Sequence, residues 1–387
     1  MEEPINSYFN PLNSNLYSDK NRWETTQIGR SVNIHVNDHF PELKFAEIAI
    51  FSVPEYEGSR NSSSDSDCKI RASFYSFHHE NLPRIADLGT IQLMPTRRES
   101  FEIIQIVCEK LMHNGTIPFI IGGGHDLTYA VYKAYAALDK FITLTTIDSK
   151  FDIGLENDNL AAFSHLGKII SHKPSHLFHY TNLAYQSYFN SSIAVEMLKS
   201  MNFDIFRLGE LQANFNDTEP IMRNTDFLSF DISAIQHAYA AANVYSTPNG
   251  LDGQDACKIM RYAGVSDRIT AVGLFEYNQN LDLNNQTAFL LAEMLWYFID
   301  GYMIRKNELN PNMKDCTKYT VAFEDGKNEI VFYKSKKSAR WWMGVPFAKE
   351  GERDSQILYV ACSYRDYEIA NQGEIPDRWL KTINKFV

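Results

Sequence analysis

The chain has 387 residues, 44% of them hydrophobic and 22% charged, enough for one large α/β domain or for a core domain with an appendage. Its 48 acidic residues outnumber 37 basic ones, giving a formal net charge of -11. That balance excludes a general nucleic-acid binder, because affinity for a phosphate backbone comes from clustered Lys and Arg.

The chain opens with MEEPINSYFNPLNSN, which has neither a basic n-region nor an apolar h-region. Short apolar runs then recur: EIAIFSVP (47–54), IPFIIGG (117–123), FITLTTID (141–148), FDIFRLGE (203–210), DFLSFDIS (226–233) and AVGLFEYN (271–278). They are apolar on both faces, as strands of a covered parallel sheet are. Between them lie helical patterns such as ESFEIIQIVCEKLMHNG (99–115) and DLTYAVYKAYAALDK (126–140). Strand alternating with helix predicts an α/β fold with a mainly parallel sheet.

Two regions break the rhythm. The polar, Ser-rich EYEGSRNSSSDSDCK (55–69) reads as a mobile loop after the first strand. Beyond residue 310 the pattern changes to KYTVAFED, EIVFYKS and ILYVACSY, with a last helix near PDRWLKTINKF. The expected organisation is therefore a core over 1–310 and a β-rich C-terminal extension over 311–387 packed on it. The basic cluster YKSKKSARWW (333–342) reads as a solvated hairpin. The Trp341 and Trp342 pair within it is expected to cap a core or an interface.

Five cysteines, at 68, 108, 257, 316 and 362, are scattered without CxxC spacing, which fits a reducing compartment and excludes a thiolate zinc site. The most apolar helical stretch, from Thr287, is interrupted by Glu293 and Asp300 and is too polar to span a membrane. The expectation is a cytoplasmic protein with no membrane and no nucleic-acid partner.

Ligands of an open parallel sheet gather beyond the carboxyl ends of its strands. Three strands here end in polar sets: IIGGGHD supplies His125 and Asp126, TIDSKFD supplies Asp148 and Asp152, and LSFDIS supplies Asp231. The set resembles the ureohydrolase family of arginases, agmatinases and formimidoylglutamases, with its motifs GGxH, DAHxDxR and SxDxDxxDP. GGGH followed by an acid is most similar to the formimidoylglutamases. The resemblance covers roughly residues 45–305 and implies a three-layer α/β/α fold. It also implies a binuclear manganese centre that activates a hydroxide against a guanidinium or formimino carbon.

Carried over by motif, His125, Asp148, Asp152 and Asp231 match all four protein ligands of one manganese. The second manganese would need two further ligands, and those positions are Lys150 and Ser233. The resemblance also assigns a proton shuttle to His165, thirteen residues beyond Asp152, and a substrate-holding carboxylate to Glu276. One Mn2+ is therefore expected, with the Lys150 ammonium taking the place of the second ion's charge. Gly154 stands where the first acidic motif often ends in Arg, and Gln236 and His237 replace the Asp and Pro of the second.

These residues imply hydrolysis of a C–N bond in a linear amidine, N-formimino-glutamate before others, by a small-molecule enzyme for which the resemblance allows a homo-oligomer. The alternative is a catalytically inactive protein of the same fold that binds a small molecule or a partner. A one-zinc deacetylase of related fold fits less well, since its metal uses the histidine position occupied here by Lys150. His172, His176 and His179, in SHKPSHLFHY, read as a polar loop rather than a second metal site.

Overall fold

The computed structural model describes residues 4–386 except 18, 38, 63–67, 155–158, 324–328 and 348–355. Eight strands build the core: β1 (Ile48–Ser52), β2 (Ile85–Ile91), β3 (Ile117–Ile121), β4 (Ile142–Ile147), β5 (Leu177–Tyr185), β6 (Asp204–Arg207), β7 (Phe227–Asp231) and β8 (Ala271–Phe275). They are ordered β2-β1-β3-β8-β7-β4-β5-β6 and are all parallel. Two short pieces extend the β2 edge, Phe9–Asn10 antiparallel and Asn33–Ile34 parallel.

Side chains alternate across a strand, so a covered sheet needs apolar residues on both faces. In β1, Ile48 and Ile50 enter one core, while Ala49 and Phe51 enter the other. In β7, Leu228 and Phe230 face the first core and Phe227 the second.

Helices α1 (Cys68–Ser76), α2 (Arg97–His113), α3 (Leu127–Ala137), α4 (His165–Ser171), α5 (Thr218–Asn224), α6 (Gly253–Val265) and α7 (Gln286–Met303) follow in chain order. α1, α6 and α7 cover the first face, and α2, α3 and α4 the second. The result is the three-layer α/β/α arrangement. α2 starts on a capping box in which Thr96 and Glu99 satisfy each other's backbone N–H groups. No helix among the described residues is long and apolar enough to cross a membrane.

The C-terminal stretch forms a separate antiparallel sheet, β9 (Cys316–Ala322), β10 (Glu329–Ser335), β11 (Trp341–Phe347) and β12 (Gln356–Cys362), followed after one short helix by α8 (Asp377–Ile383). The basic 333–342 stretch is the β10–β11 hairpin, as its composition suggested. The sheet has its own core, with Phe332, Trp341, Met343 and Val345 beneath Tyr367 and Trp379. α5 clamps it to the main body. Arg223 donates to the carbonyls of Trp341 at 3.1 Å and Cys362 at 3.0 Å, and its guanidinium lies 4.9 Å from the Trp342 ring centre. Asn224 exchanges two amide hydrogen bonds with the backbone of Ala361. Trp341 thus fills the extension's core and Trp342 its junction with the main body.

One expectation needs correction. The stretch read as a polar loop around His172–His179 contains the start of β5, and its histidines have separate partners: Tyr129 for His172, Asp139 for His176 and Asp204 for His179. Imidazoles with a nearby acid can face a strand interior, so their polarity did not signal a loop. In the stretch 55–69, expected to be a mobile loop, Glu55, Tyr56 and Asn61 are buried while Glu57, Arg60 and Ser62 are exposed, and Cys68 begins α1. Residues 63–67 lie outside the described residues.

Candidate metal centre

Four adjacent central strands, β3, β8, β7 and β4, all end at one crevice. β3 runs into Gly122 and Gly123, both left-handed at φ +81° and +78°. A Cβ on Gly123 would lie 2.9 Å from the carbonyl oxygens of both Val53 and Glu55, so the turn demands glycine. It delivers His125 to the crevice just before α3.

The His125 ring is fully buried and oriented from behind: Nε2 lies 2.9 Å from Ser229 Oγ, on β7. With Nε2 donating there, Nδ1 is the nitrogen turned to the acids, where a cation could replace its proton. Nδ1 lies 3.3 Å from Asp148 Oδ2, 3.3 Å from Asp152 Oδ2 and 3.6 Å from Asp231 Oδ2. Asp148 and Asp231 stand at the ends of β4 and β7. Asp152 is held in the left-handed region at φ +50°, a strained conformation for a non-glycine residue and one that clusters at functional sites.

One ligand atom from each of these four residues lies within 4.8 Å of all the others. Octahedral ligands about 2.1 Å from an ion stand about 3 Å from their neighbours, so spacings of this size suit a divalent cation. One imidazole and three carboxylates are a donor set that manganese accepts.

The electrostatics point the same way. Burial, then the neighbouring Asp152, pushes the Asp148 carboxyl up from 3.8 to about 7. Burial and Asp148 raise Asp231. Burial works against protonation of His125, but its hydrogen bonds to Asp148 and Asp152 prevail and hold its pKa well above the usual imidazole value. Crowded acids resist ionising, and a cation among them would favour their charged forms.

Glu276 ends β8 at φ +69°, also in the left-handed region. Its Oε1 accepts the His125 backbone N–H at 2.7 Å, and Oε2 accepts Asn61 Nδ2 at 2.6 Å and Ser59 Oγ at 2.5 Å. Burial and the nearby Asp231 raise its pKa. Glu276 lines a cavity of about 600 Å3 together with Asp152, Asp231, Ser233, Lys150 and Tyr245.

Lys150 shares that cavity, but its ammonium is not inserted between the acids. It lies 4.6 Å from the Tyr245 ring centre and 5.5 Å from that of Phe189, and it makes no ion pair among the described residues. The aromatic faces draw the cation sideways. The backbone N–H of Lys150 instead donates to Asp148 Oδ1 at 2.9 Å, and that of Ser233 to Asp231 Oδ1 at 2.7 Å. The outer oxygens of both acids thus serve their own loops while the inner ones face His125. Among the described residues no further His, Cys, Asp or Glu group forms on the Ser233 side.

His165, the first residue of α4, is buried behind His125, with ring centres 4.4 Å apart, and does not line the cavity. Its Nδ1–H donates to the Ala162 carbonyl at 2.8 Å and sits 3.8 Å from Asp152 Oδ2. Its buried Nε2 has no partner among the described residues. Burial and the adjacent His125 push its pKa well down, so it is a neutral base.

Sequence reasoning missed Ser59 and Asn61, which clamp Glu276, and Arg97, which lines the cavity while bound to Glu55 at 3.3 Å and to Asp126. The signal was available: EYEGSRN follows the carboxyl end of β1, where a ligand site is expected.

Comparisons with known proteins give the family and the fold. The arginase family model matches residues 48–300. Formimidoylglutamase of Staphylococcus aureus (strain JH9) is 24% identical over 229 residues, covering 56% of this chain and 71% of that protein. The crystal structure of Trypanosoma cruzi formiminoglutamase with Mn2+ superposes with a TM-score of 0.61 at 18% identity, over 69% of this chain and 100% of that one. Agmatine ureohydrolase of Thermoplasma volcanium gives 0.60 at 19% identity, over 75% and 98%. The fold is shared, and the chain belongs to the arginase family.

Proposed function

We propose that the protein hydrolyses the C–N bond of a linear amidine, N-formimino-glutamate before others, giving glutamate and formamide. The observation that carries this reading is the convergence of His125, Asp148, Asp152 and Asp231 on one point beside the clamped Glu276. The similarity to formimidoylglutamases supports the choice of substrate. One divalent ion, manganese, is held by those four residues, and the chemistry is assigned to residues 1–310 with 311–387 packed on them. Bound there, the ion would supply Lewis acidity that lowers the pKa of a water.

Glu276 faces the cavity with a fixed carboxylate that can accept an amidinium N–H, and its charge complements the cationic nitrogens of the amidine. Asp152 and Asp231 line the same cavity. His165 is the proposed proton carrier, linked to the centre through Asp152, with its neutral Nε2 open to a proton.

The replacement of two second-site ligands by Lys150 and Ser233 favours a single reading besides this one, an inactive descendant that binds its ligand without turnover. Release of formamide by the manganese-loaded protein, abolished in Asp148→Asn while the fold persists, separates the two. Metal analysis should find one manganese per chain. Two ions, or none under manganese loading, would sink the one-ion centre.

A further inference from the structure

The walls of the cavity carry three cations, Arg60, Arg97 and Lys150. Arg97 is neutralised by Glu55 and Asp126. Arg60 and Lys150 make no ion pair among the described residues, although the chain is acidic and four carboxylates share the cavity with them. Tyr245 lines the cavity with both of them, and its ring lies under the Lys150 ammonium at 4.6 Å. Arg60 is fixed because its chain neighbours Ser59 and Asn61 are both tied to Glu276.

A cation held by ring faces keeps its N–H donors, since the aromatic attraction is electrostatic and uses no acceptor lone pair. A guanidinium presents a fork that matches a carboxylate. We infer that Arg60 and Lys150 form an anion subsite at the wall of the cavity that binds the carboxylate of the substrate, while the acids around Glu276 take its amidinium end. Lys150 is in this view a specificity residue, not a substitute for a metal charge. The subsite selects a substrate with a cationic amidine at one end and a carboxylate at the other. An amine-tailed substrate such as agmatine would place like charges together and is disfavoured.

The inference rests on the amidine-hydrolase reading, so its test includes a measurement that needs no turnover. L-Glutamate is titrated calorimetrically into the full-length, manganese-loaded protein and into Lys150→Gln and Arg60→Gln. The expected result is binding by the parent protein that weakens about tenfold or more in each variant, the size of one lost charge-assisted hydrogen bond. In parallel, the ratio of kcat/KM for N-formimino-L-glutamate to that for formamidine, which has no carboxylate, should fall about tenfold in each variant. Circular dichroism and metal content confirm that the variants are folded and loaded. Unaltered glutamate binding in both variants overturns the subsite, and so does a selectivity ratio that stays constant because both substrates suffer equally. Glutamate binding that depends on Lys150 and Arg60, without turnover of any amidine, would uphold the subsite and overturn the hydrolase reading instead.

Discussion

The carboxylate of Glu276 accepts the backbone N–H of His125 at 2.7 Å, joining the end of β8 to the loop that follows β3. A carboxylate on the cavity wall therefore also fixes the backbone of a metal-ligand candidate. Glu276→Gln should lower kcat/KM about 100-fold, because a charge aimed at a cationic reacting group is lost from a dry site. Asn61→Ala removes one of three donors to Glu276 and should cost about tenfold. Steady-state kinetics with manganese in excess measures both.

Protonation of the metal-free centre gives a pH test. Asp148 is raised from 3.8 to about 7, and Asp231 and His125 are raised as well. A group whose folded pKa exceeds its unfolded one contributes stability below the unfolded pKa and loses it as pH rises through the folded pKa. The metal-free protein should therefore lose thermal stability between about pH 4 and pH 7 through these groups, the window set by the Asp148 shift. Asp148→Asn should flatten that slope in calorimetric melts. Added Mn2+ should raise Tm more at pH 8 than at pH 5, because ligands must be deprotonated to bind.

The proposed loss of a second site can be tested by rebuilding it. Lys150→His together with Ser233→Asp supplies an imidazole and a carboxylate at the positions where family motifs place ligands. Metal analysis of the double variant should rise from one to about two manganese ions per chain, as expected if affinity follows the donor set. A stoichiometry that stays at one would show that the loops, held by the Lys150 and Ser233 backbone N–H groups, no longer present the geometry.

Gly123 and Gly115 have nearly the same φ, +78° and +76°, in different surroundings. A Cβ at Gly115 meets nothing within 4 Å, whereas at Gly123 it meets two carbonyl oxygens at 2.9 Å. Gly115→Ala should cost about 1 kcal/mol in denaturant unfolding, and Gly123→Ala about 3 kcal/mol with loss of metal binding.

Arg223 joins the two sheets through carbonyls of β11 and β12. Arg223→Ala leaves those buried acceptors unpaired and should destabilise the protein by about 3 kcal/mol. Limited proteolysis should then cut first in the C-terminal sheet, while the metal content of the remaining body is retained.

The cluster of candidate ligands was readable in the sequence because its members follow strand ends, and strand ends are marked locally by a β-branched run stopping at Gly or Asp. GGGHD, TIDSKFD and SFDIS carry that signature within a few residues. The parallel sheet followed from the same runs being apolar on both faces. β2, with Asp87 buried against Arg71, and β5, with its histidines, escaped because their polar residues are satisfied by partners that local pattern does not reveal.

What only the tertiary structure decided is where side chains point after the strands end. Ser59 and Asn61 reach Glu276 across more than 200 residues of chain. The Lys150 ammonium, at the end of a flexible four-carbon stem, is turned by Phe189 and Tyr245, residues far along the chain, away from the acids that flank it in sequence. Sequence spacing determines which residues a strand end delivers to the crevice. The direction of a long, flexible side chain is set by the field and the surfaces it meets there, and those belong to the fold.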